Sequence, residues 1–428
     1  MSGYRLPTSE HSKLSAYLIF FLAASFYLYE FVLQVAPSVM AEPMMHTFKV
    51  SAEGFGVISA FYFYAYAPMQ LPAGLLFDRY GPRKLMTGAL ILCAIGSFFF
   101  ASTDSVVTAS MGRMLIGIGS AFSFIGVLVL VSRWFPPHNF AILAGVAQLM
   151  SSVGAMFGEV PLAALIEHVG WRQASFILAG VGFLLALLLW CLIRDYPHQP
   201  TQTQPTRSFR DEWQRLLEVC HRSYTWLTGA YAFCIWTPIA VFAALWGVPY
   251  LQEKYQVSVV VASGLCSMIW LGIGVGSPLL GWISDRCNSR RLALAISSVF
   301  GLLATLILLY MPNVSISWMY AVLFILGFGA GGQTVSFAVV KDNNPAHLVG
   351  TASGFNNLSV LVGGAIFQPL VGVMLHHSTD GRLVNGVPVY TVTCYQKALL
   401  VMPCCFLASL ILALWILKES HPGAKKNA

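Results

Sequence analysis

Long apolar runs alternate with short polar breaks from one end of this chain to the other. The runs fall at residues 14–41, 53–77, 84–103, 106–132, 139–166, 172–193, 224–251, 258–284, 291–311, 315–340, 347–376 and 394–417. At 1.5 Å of rise per residue each is long enough to cross a hydrocarbon layer of about 30 Å. None shows the two-residue alternation of a barrel strand, so the pattern predicts twelve helices. The first run is too long for a secretory signal, and eleven more follow it, so it reads as helix 1. The predicted fold class is an all-α membrane protein with twelve transmembrane helices.

Composition agrees with that pattern. Of 428 residues, 57% are hydrophobic and only 10% charged, with a mean hydropathy of +0.71. A water-soluble chain carries nearer a quarter charged residues, so the main solvent here is lipid. The net charge of +7 is distributed by side and not gathered in a patch for nucleic acid. With both termini cytoplasmic, that side takes the basic residues of both tails and of the loops after runs 2, 4, 6, 8 and 10. The opposite side keeps only Lys49, Arg172, Lys254, Arg382 and Lys397. This positive-inside asymmetry sets the expected orientation, with the inner (plasma) membrane of a bacterium as the expected location. The nine cysteines show no metal-ligand spacing and sit mostly in apolar runs, as small buried hydrophobes do. No phosphate-binding loop, zinc helix or nucleophile elbow occurs. The chain is therefore expected not to be an enzyme and to use no cofactor or metal.

The longest polar stretch, 194–222, begins rich in Pro, Gln and Thr and ends in "FRDEWQRLLEV", a candidate amphipathic helix on the membrane surface. It divides the chain into 1–193, a linker at 194–222, and 223–428. The halves echo each other. "GLLFDRYGPRK" after run 2 and "GWISDRCNSRR" after run 8 both fit G-x-x-x-D-R-x-x-x-R, through Gly74, Asp78, Arg79, Arg83 and Gly281, Asp285, Arg286, Arg290. Runs 5 and 11 align Gly145 with Gly354, Gln148 with Asn357, Gly154 with Gly363 and Glu159 with Gln368. Runs 4 and 10 share the glycine spacing of "LIGIGSAF" and "FILGFGAGG". Such a repeat lets one bundle rock against the other around a central site.

With these motifs the chain resembles the major facilitator superfamily over nearly its whole length. That resemblance implies two pseudo-symmetric six-helix bundles, a functional monomer, and a gate latch in the two D-R loops. In the first loop Asp78 is placed to pair with Arg83 or to accept from a neighbouring helix end, and Gly74 to let helices approach closely. "SMGRMLIGIGSAF" is similar to the superfamily's run 4 motif, with Arg113 as its arginine. Run 5 keeps the antiporter glycines Gly145, Gly154 and Gly158, but Glu159 stands where those proteins carry proline and Ala163 and Ala164 replace the last glycines.

Three intramembrane charges are the candidate coupling residues. Glu30, in "FYLYEFVLQVAP", costs about 2.5 kcal/mol or more at that depth unless it finds a partner or a function. Its surroundings resemble the run 1 frame of the anion:cation symporters, N-Y-x-D-R-x-x-L-x-x-A-x-P, with Tyr27, Leu33, Ala36 and Pro37 holding parts of it. Glu30 replaces the anion-binding arginine implied there, which points to an ammonium group or a proton. Arg113 stays charged, so it faces the central cavity or a partner, or else snorkels to the nearby interface. Glu159 is a candidate proton carrier, or a structural partner of Arg113. Tyr27, Tyr62, Tyr66, Gln148, Trp236, Gln333, Asn356 and Asn357 are candidate pocket residues, with Tyr62 and Tyr66 one helical turn apart. Tyr29, Tyr64 and Trp246 belong to the same set of polar and aromatic groups in the spans.

The expectation is a proton-coupled secondary transporter importing a small polar nutrient, an amino acid or similar zwitterion held between Glu30 and Arg113. Run 1 also resembles the phagosomal nutrient transporters of intracellular bacteria. Alternatives are an organic-anion or nucleoside transporter, a drug:proton antiporter, and a sensor that binds without transporting. The expected partners are the small-molecule substrate, protons and the lipid bilayer, with no nucleic acid.

Overall fold

A computed structural model describes residues 10–136, 139–196, 209–345, 347–378, 383–384, 387–388, 390–416 and 419. Among them, eleven helices are long and apolar enough to cross a membrane. These are Leu14–Val39 (span 1), Pro82–Ser102 (span 3), Val106–Trp134 (span 4), Ile142–Val169 (span 5), Trp171–Leu192 (span 6) and Ser223–Tyr255 (span 7). Val259–Arg286 (span 8), Arg290–Tyr310 (span 9), Ile316–Asn343 (span 10), Val349–Ser378 (span 11) and Val392–Trp415 (span 12) complete the set. Span 2 is the helix Ala52–Tyr80. It is long enough, but its tyrosines, glycines, prolines and Gln70 make it less apolar than the rest. Protein neighbours rather than lipid cover much of it: Tyr62, Phe63, Tyr66 and Gln70 are buried.

The twelve helices form two pseudo-symmetric bundles. In the first, span 1 packs on span 5, span 3 on spans 4 and 6, and span 2 on span 4. The second repeats each pairing, with span 7 on 11, 9 on 10 and 12, and 8 on 10. Between bundles, span 2 packs on 11 and span 5 on 8, and these two contacts exchange under the same symmetry. Spans 4 and 10 both break near their middles, at Ala121–Phe122 and at Gly331–Gly332.

Glycines set the register at which these helices meet. A Cβ on Gly117 would strike the carbonyl of Tyr62, and one on Gly327 that of Ile269. Gly154 lies equally close to Leu28, and Gly363 to Thr237. Small residues matter in a bilayer because helices there gain no hydrophobic drive from meeting; close van der Waals approach supplies the attraction.

The bundles touch at the end that carries the 1–2 turn, while glycines at the other end stand clear of neighbours. At the end carrying the 1–2 turn, a Cβ on Gly56 would lie 2.8 Å from the Gln368 carbonyl, and Gly372 abuts Ala52. At the end carrying the linker, nothing lies within 4 Å of where a Cβ would stand on Gly74, Gly145, Gly281, Gly350 or Gly354. The close approach expected at Gly74 is therefore not made in this conformation.

The linker helix is Phe209–Cys220. Its apolar residues Leu216, Val219 and Cys220 pack on Val340, Leu348, Ala352 and Phe355 of the second bundle. Two short strands, Leu383–Val384 and Val387–Pro388, pair antiparallel between spans 11 and 12. Residues 197–208 of the linker, and Arg5, Arg382, Lys418, Lys425 and Lys426, basic residues of the two tails and of the loop between spans 11 and 12, lie outside the described residues.

Candidate functional site

The proposed charge centre of the first bundle forms around one tyrosine. The Tyr62 hydroxyl, on span 2, donates to Glu30 Oε1 on span 1. The guanidinium of Arg113, on span 4, lies 4.9 Å from the centre of the same Tyr62 ring. Glu30 is fully buried and Arg113 3% exposed. Tyr62 thus holds the acid with its hydroxyl and the cation with its π face. A cation over a desolvated aromatic face gains about 2 kcal/mol. Tyr66, one turn along span 2, meets the Tyr62 ring edge-on at 5.4 Å.

Arg113 has a second partner that the chain creates for it. Pro37 lies inside the span 1 helix and has no N–H, so the Leu33 carbonyl four residues earlier loses its helical donor. Arg113 Nη1 donates to that carbonyl at 2.8 Å. The arginine therefore turns into the first bundle instead of lying across a cavity from Glu30 or snorkelling outward. Its Nε has no hydrogen-bond partner among the described residues. Leu33, Pro37, Ser97, Ile116 and Ser175 close a cavity of about 20 Å³ beside it, space for one water.

The glycine register identifies the counterparts of this centre in the second bundle. Glu30 corresponds to Ile239, Tyr62 to Ile269 and Arg113 to Leu323, all three fully buried and aliphatic. The packing is symmetric; the charge is not. The Glu30–Tyr62–Arg113 cluster thus has no charged counterpart at the matching positions of the second bundle.

The remaining candidates fall into separate groups. The Tyr27 hydroxyl donates to Gln148 Oε1 at 3.4 Å, and Gln148 Nε2 donates to Ser151 at 3.1 Å. Their counterparts in the repeat are Trp236, buried, and Asn357, half-buried. Asn356 is buried, and its Nδ2 donates to Ser336 Oγ at 2.8 Å, within the second bundle. Gln333 is half-buried just past the break in span 10. Tyr29 donates to the Leu178 carbonyl and Trp246 to that of Gln368, so both are packing residues. Tyr64 lies on an exposed face of span 2.

Glu159 does not pair with Arg113. It accepts from Ser38 Oγ at 3.4 Å, and its Oε2 has no partner among the described residues. The Trp270 indole N–H, on span 8 of the other bundle, is also buried without a hydrogen-bond partner among the described residues, and span 8 packs on span 5.

The two D-R loops differ from expectation in one half. In the second, Arg290 bonds Asp285 at 2.6 Å, as the motif suggests, and also Asp342 on span 10 at 2.9 Å. In the first, Arg83 turns to span 6: its Nε donates to the Trp190 carbonyl at 2.7 Å and its cation stacks on that ring. Two acids missed in the sequence tie these loops down. Asp195, just past span 6, accepts from the Arg83 amide at 2.8 Å; Glu419, past span 12, accepts from the Arg290 amide at 2.9 Å. Each places a carboxylate at a helix N-terminus, where unpaired N–H groups and the helix dipole favour an anion. "RD" after run 6 and "KE" after run 12 are the signal that a repeat alignment carried past the last span would have shown.

Comparison with known proteins places this arrangement. The family model of the Major Facilitator Superfamily matches residues 16–369. The chain is 22% identical over 392 residues to "Probable galactarate/D-glucarate transporter GudP" of Escherichia coli (strain K12), covering 82% of this chain and 85% of that one. It is 25% identical over 407 residues to "Probable galactarate/D-glucarate transporter GarP" of the same strain, covering 86% and 89%. A hexuronate transporter of Bacillus subtilis (strain 168) is 22% identical, over 85% of this chain and 88% of its own. Among solved structures, a bacterial homolog to the human lysosomal transporter Spinster superposes with a TM-score of 0.73 at 16% identity, covering 93% and 95%. That likeness is one of fold.

Proposed function

Because this chain belongs to the Major Facilitator Superfamily, and so is a membrane transporter and not an enzyme, we propose that it carries a small organic anion of the sugar-acid class. The observation that carries this reading is the set of relatives above, three sugar-acid transporters matched over most of both chains. They favour the organic-anion alternative over the amino acid expected from Glu30. The site supports the change. Glu30 spends one carboxyl oxygen on Tyr62, which leaves it a poor sole partner for a three-donor ammonium group. A hydroxyl-rich substrate would need donors and acceptors of the kind that Tyr27, Gln148, Gln333 and Asn357 carry, two in each bundle.

In this reading Arg113 attracts the substrate carboxylate and Glu30 carries the proton. A carboxylate buried without a counter-charge costs several kcal/mol, so closing the site around Glu30 is cheapest with the proton on. The bundles 1–193 and 223–428 rock against each other, with the linker helix riding on the second. Basic loops put both termini on the cytoplasmic side of a bacterial inner membrane, which makes the end carrying the linker the inward one. The D-R loops then latch that end when it closes, and the chain works as a monomer.

The test is uptake into proteoliposomes of radiolabelled D-glucarate, D-galacturonate and a panel of amino acids, with and without an inward proton gradient. Gradient-driven accumulation of a sugar acid, abolished by a protonophore, is the expected result. Accumulation of an amino acid with no response to sugar acids would refute it and restore the zwitterion reading. Glu30→Gln is expected to retain exchange while losing gradient-driven accumulation.

A further inference from the structure

Glu159 takes no part in the centre around Tyr62, yet it is a fully buried carboxyl at the seam between the bundles. Its own side supplies Ser38 on span 1 at 3.4 Å. The other side supplies span 8, which packs on span 5 and carries Cys266 and Trp270 one turn apart, both buried. Glu159 Oε2 and the Trp270 indole N–H have no hydrogen-bond partners among the described residues. An acceptor and a donor, each orphaned and each buried, thus lie on spans 5 and 8, which pack on one another across the interface. An orphaned buried polar atom is costly and a made bond is not, so a slight tightening of spans 5 and 8 is favourable for both. Gly158, which backs directly onto Val32 and Val35, keeps span 5 against span 1 and holds Glu159 in this position.

The repeat carries a neutral version of the same arrangement. Gln368, the counterpart of Glu159, donates from Nε2 to the Ala240 carbonyl at 2.8 Å, and its backbone carbonyl accepts from the Trp246 indole at 3.1 Å. That carbonyl is also where Gly56 of the first bundle makes its close approach. Both interbundle seams at the closed end thus pass through an amide- or acid-bearing residue next to a tryptophan. Only one of the two can ionise.

We propose that Glu159 and Trp270 form a proton-dependent tie that holds the closed end shut, and that ionisation of Glu159 releases it. The neutral acid can accept from Ser38 and Trp270 without the cost of burying a charge; the carboxylate accepts more strongly, but two neutral donors offset only part of its desolvation. The carboxylate finds no cation there: Ser38 offers a hydroxyl, span 8 a thiol and an indole, and no charged side chain of spans 1, 4, 6 or 8 pairs with it among the described residues. It gains solvation only if spans 5 and 8 separate. Gln368 cannot respond in this way, so the other seam acts as a hinge that keeps its contacts while this one opens. The proposal rests on the two-bundle motion of the preceding reading and not on the identity of the substrate.

The test measures the closed end directly, without substrate. Spin labels are placed through non-canonical residues at Lys49 and Gln256, exposed positions on opposite bundles at that end, and interlabel distances are read in lipid nanodiscs at acid and alkaline pH. In the otherwise unaltered protein the long-distance population is expected to rise severalfold at alkaline pH. Glu159→Gln is expected to hold the short distance at both pH values, and Glu30→Gln to keep the rise. Trp270→Phe, which removes only the N–H, is expected to show the long distance already at acid pH. A pH response in Glu159→Gln equal to that of the parent would overturn the proposal, as would a Trp270→Phe protein with the parent's distances. Failure of sugar-acid uptake would leave both readouts intact, so the two readings fail separately.

Discussion

Removing Arg113 tests whether its contact with Leu33 is structural, because the same chain offers a way to make that contact unnecessary. The Leu33 carbonyl needs an outside donor only because residue 37 is proline. In Pro37→Ala the backbone N–H returns and can bond Leu33 within the helix. Arg113→Met keeps the length of the side chain and deletes both the donor and the charge. Alone, that substitution has opposing effects. It orphans a carbonyl and loses the contact with Tyr62, but it also relieves the cost of burying a guanidinium. Its net sign is therefore uninformative, and the coupling between the two substitutions is the quantity to measure. A hydrogen bond from a charged donor is worth about 1.5–3 kcal/mol. We expect Arg113→Met to be less damaging in the Pro37→Ala background by about that amount. For a unit of six-helix-bundle size this is a difference of roughly 3–12 °C in melting temperature, at about 2–4 °C per kcal/mol. Thermal unfolding of the four proteins in one detergent gives the cycle, and uptake assays on the same set separate two roles. Stability recovered without transport means that Arg113 also meets the substrate. Strict additivity of the two substitutions would refute the carbonyl-donor assignment.

Other consequences follow from the same geometry. Tyr62→Phe keeps the ring under Arg113 and removes the hydroxyl from Glu30, so it should cost about 1–3 kcal/mol in stability through an orphaned buried acceptor, read as a lower melting temperature. Gly327→Ala pushes a methyl into the Ile269 carbonyl and should destabilise by about 1–3 kcal/mol as overpacking does. Gly354→Ala meets nothing within 4 Å and should leave melting unchanged while slowing transport, if the linker end closes on that glycine; normal uptake would argue against such closure. Asp195→Ala should lose about 0.5–2 kcal/mol as a missing helix cap does, with Glu419→Ala giving a similar loss in the other bundle.

Much of this molecule is already decided by the order of its residues. A bilayer core about 30 Å thick fixes the length of every crossing helix, so twelve apolar runs declare twelve helices, and even span 2 reads correctly despite its tyrosines. The repeat is equally plain, since D-R loops and glycine spacings recur at matching places, and the superfamily follows from them. The intramembrane charges are legible too, because lipid makes them too costly to be incidental. Their partners are not. Lipid and protein interior are similarly apolar, so hydrophobic periodicity cannot say which face of a span meets protein. Only the packed structure shows Glu30 on Tyr62, Arg113 on the carbonyl that Pro37 leaves open, and Glu159 on Ser38 at the seam with span 8 instead of on Arg113. Asp195 and Glu419 likewise gain meaning only when the end of one helix is brought to the start of another. Length, depth and charge are properties of the chain one residue at a time; partnership depends on the rotation and neighbours of each helix, which tertiary packing alone fixes.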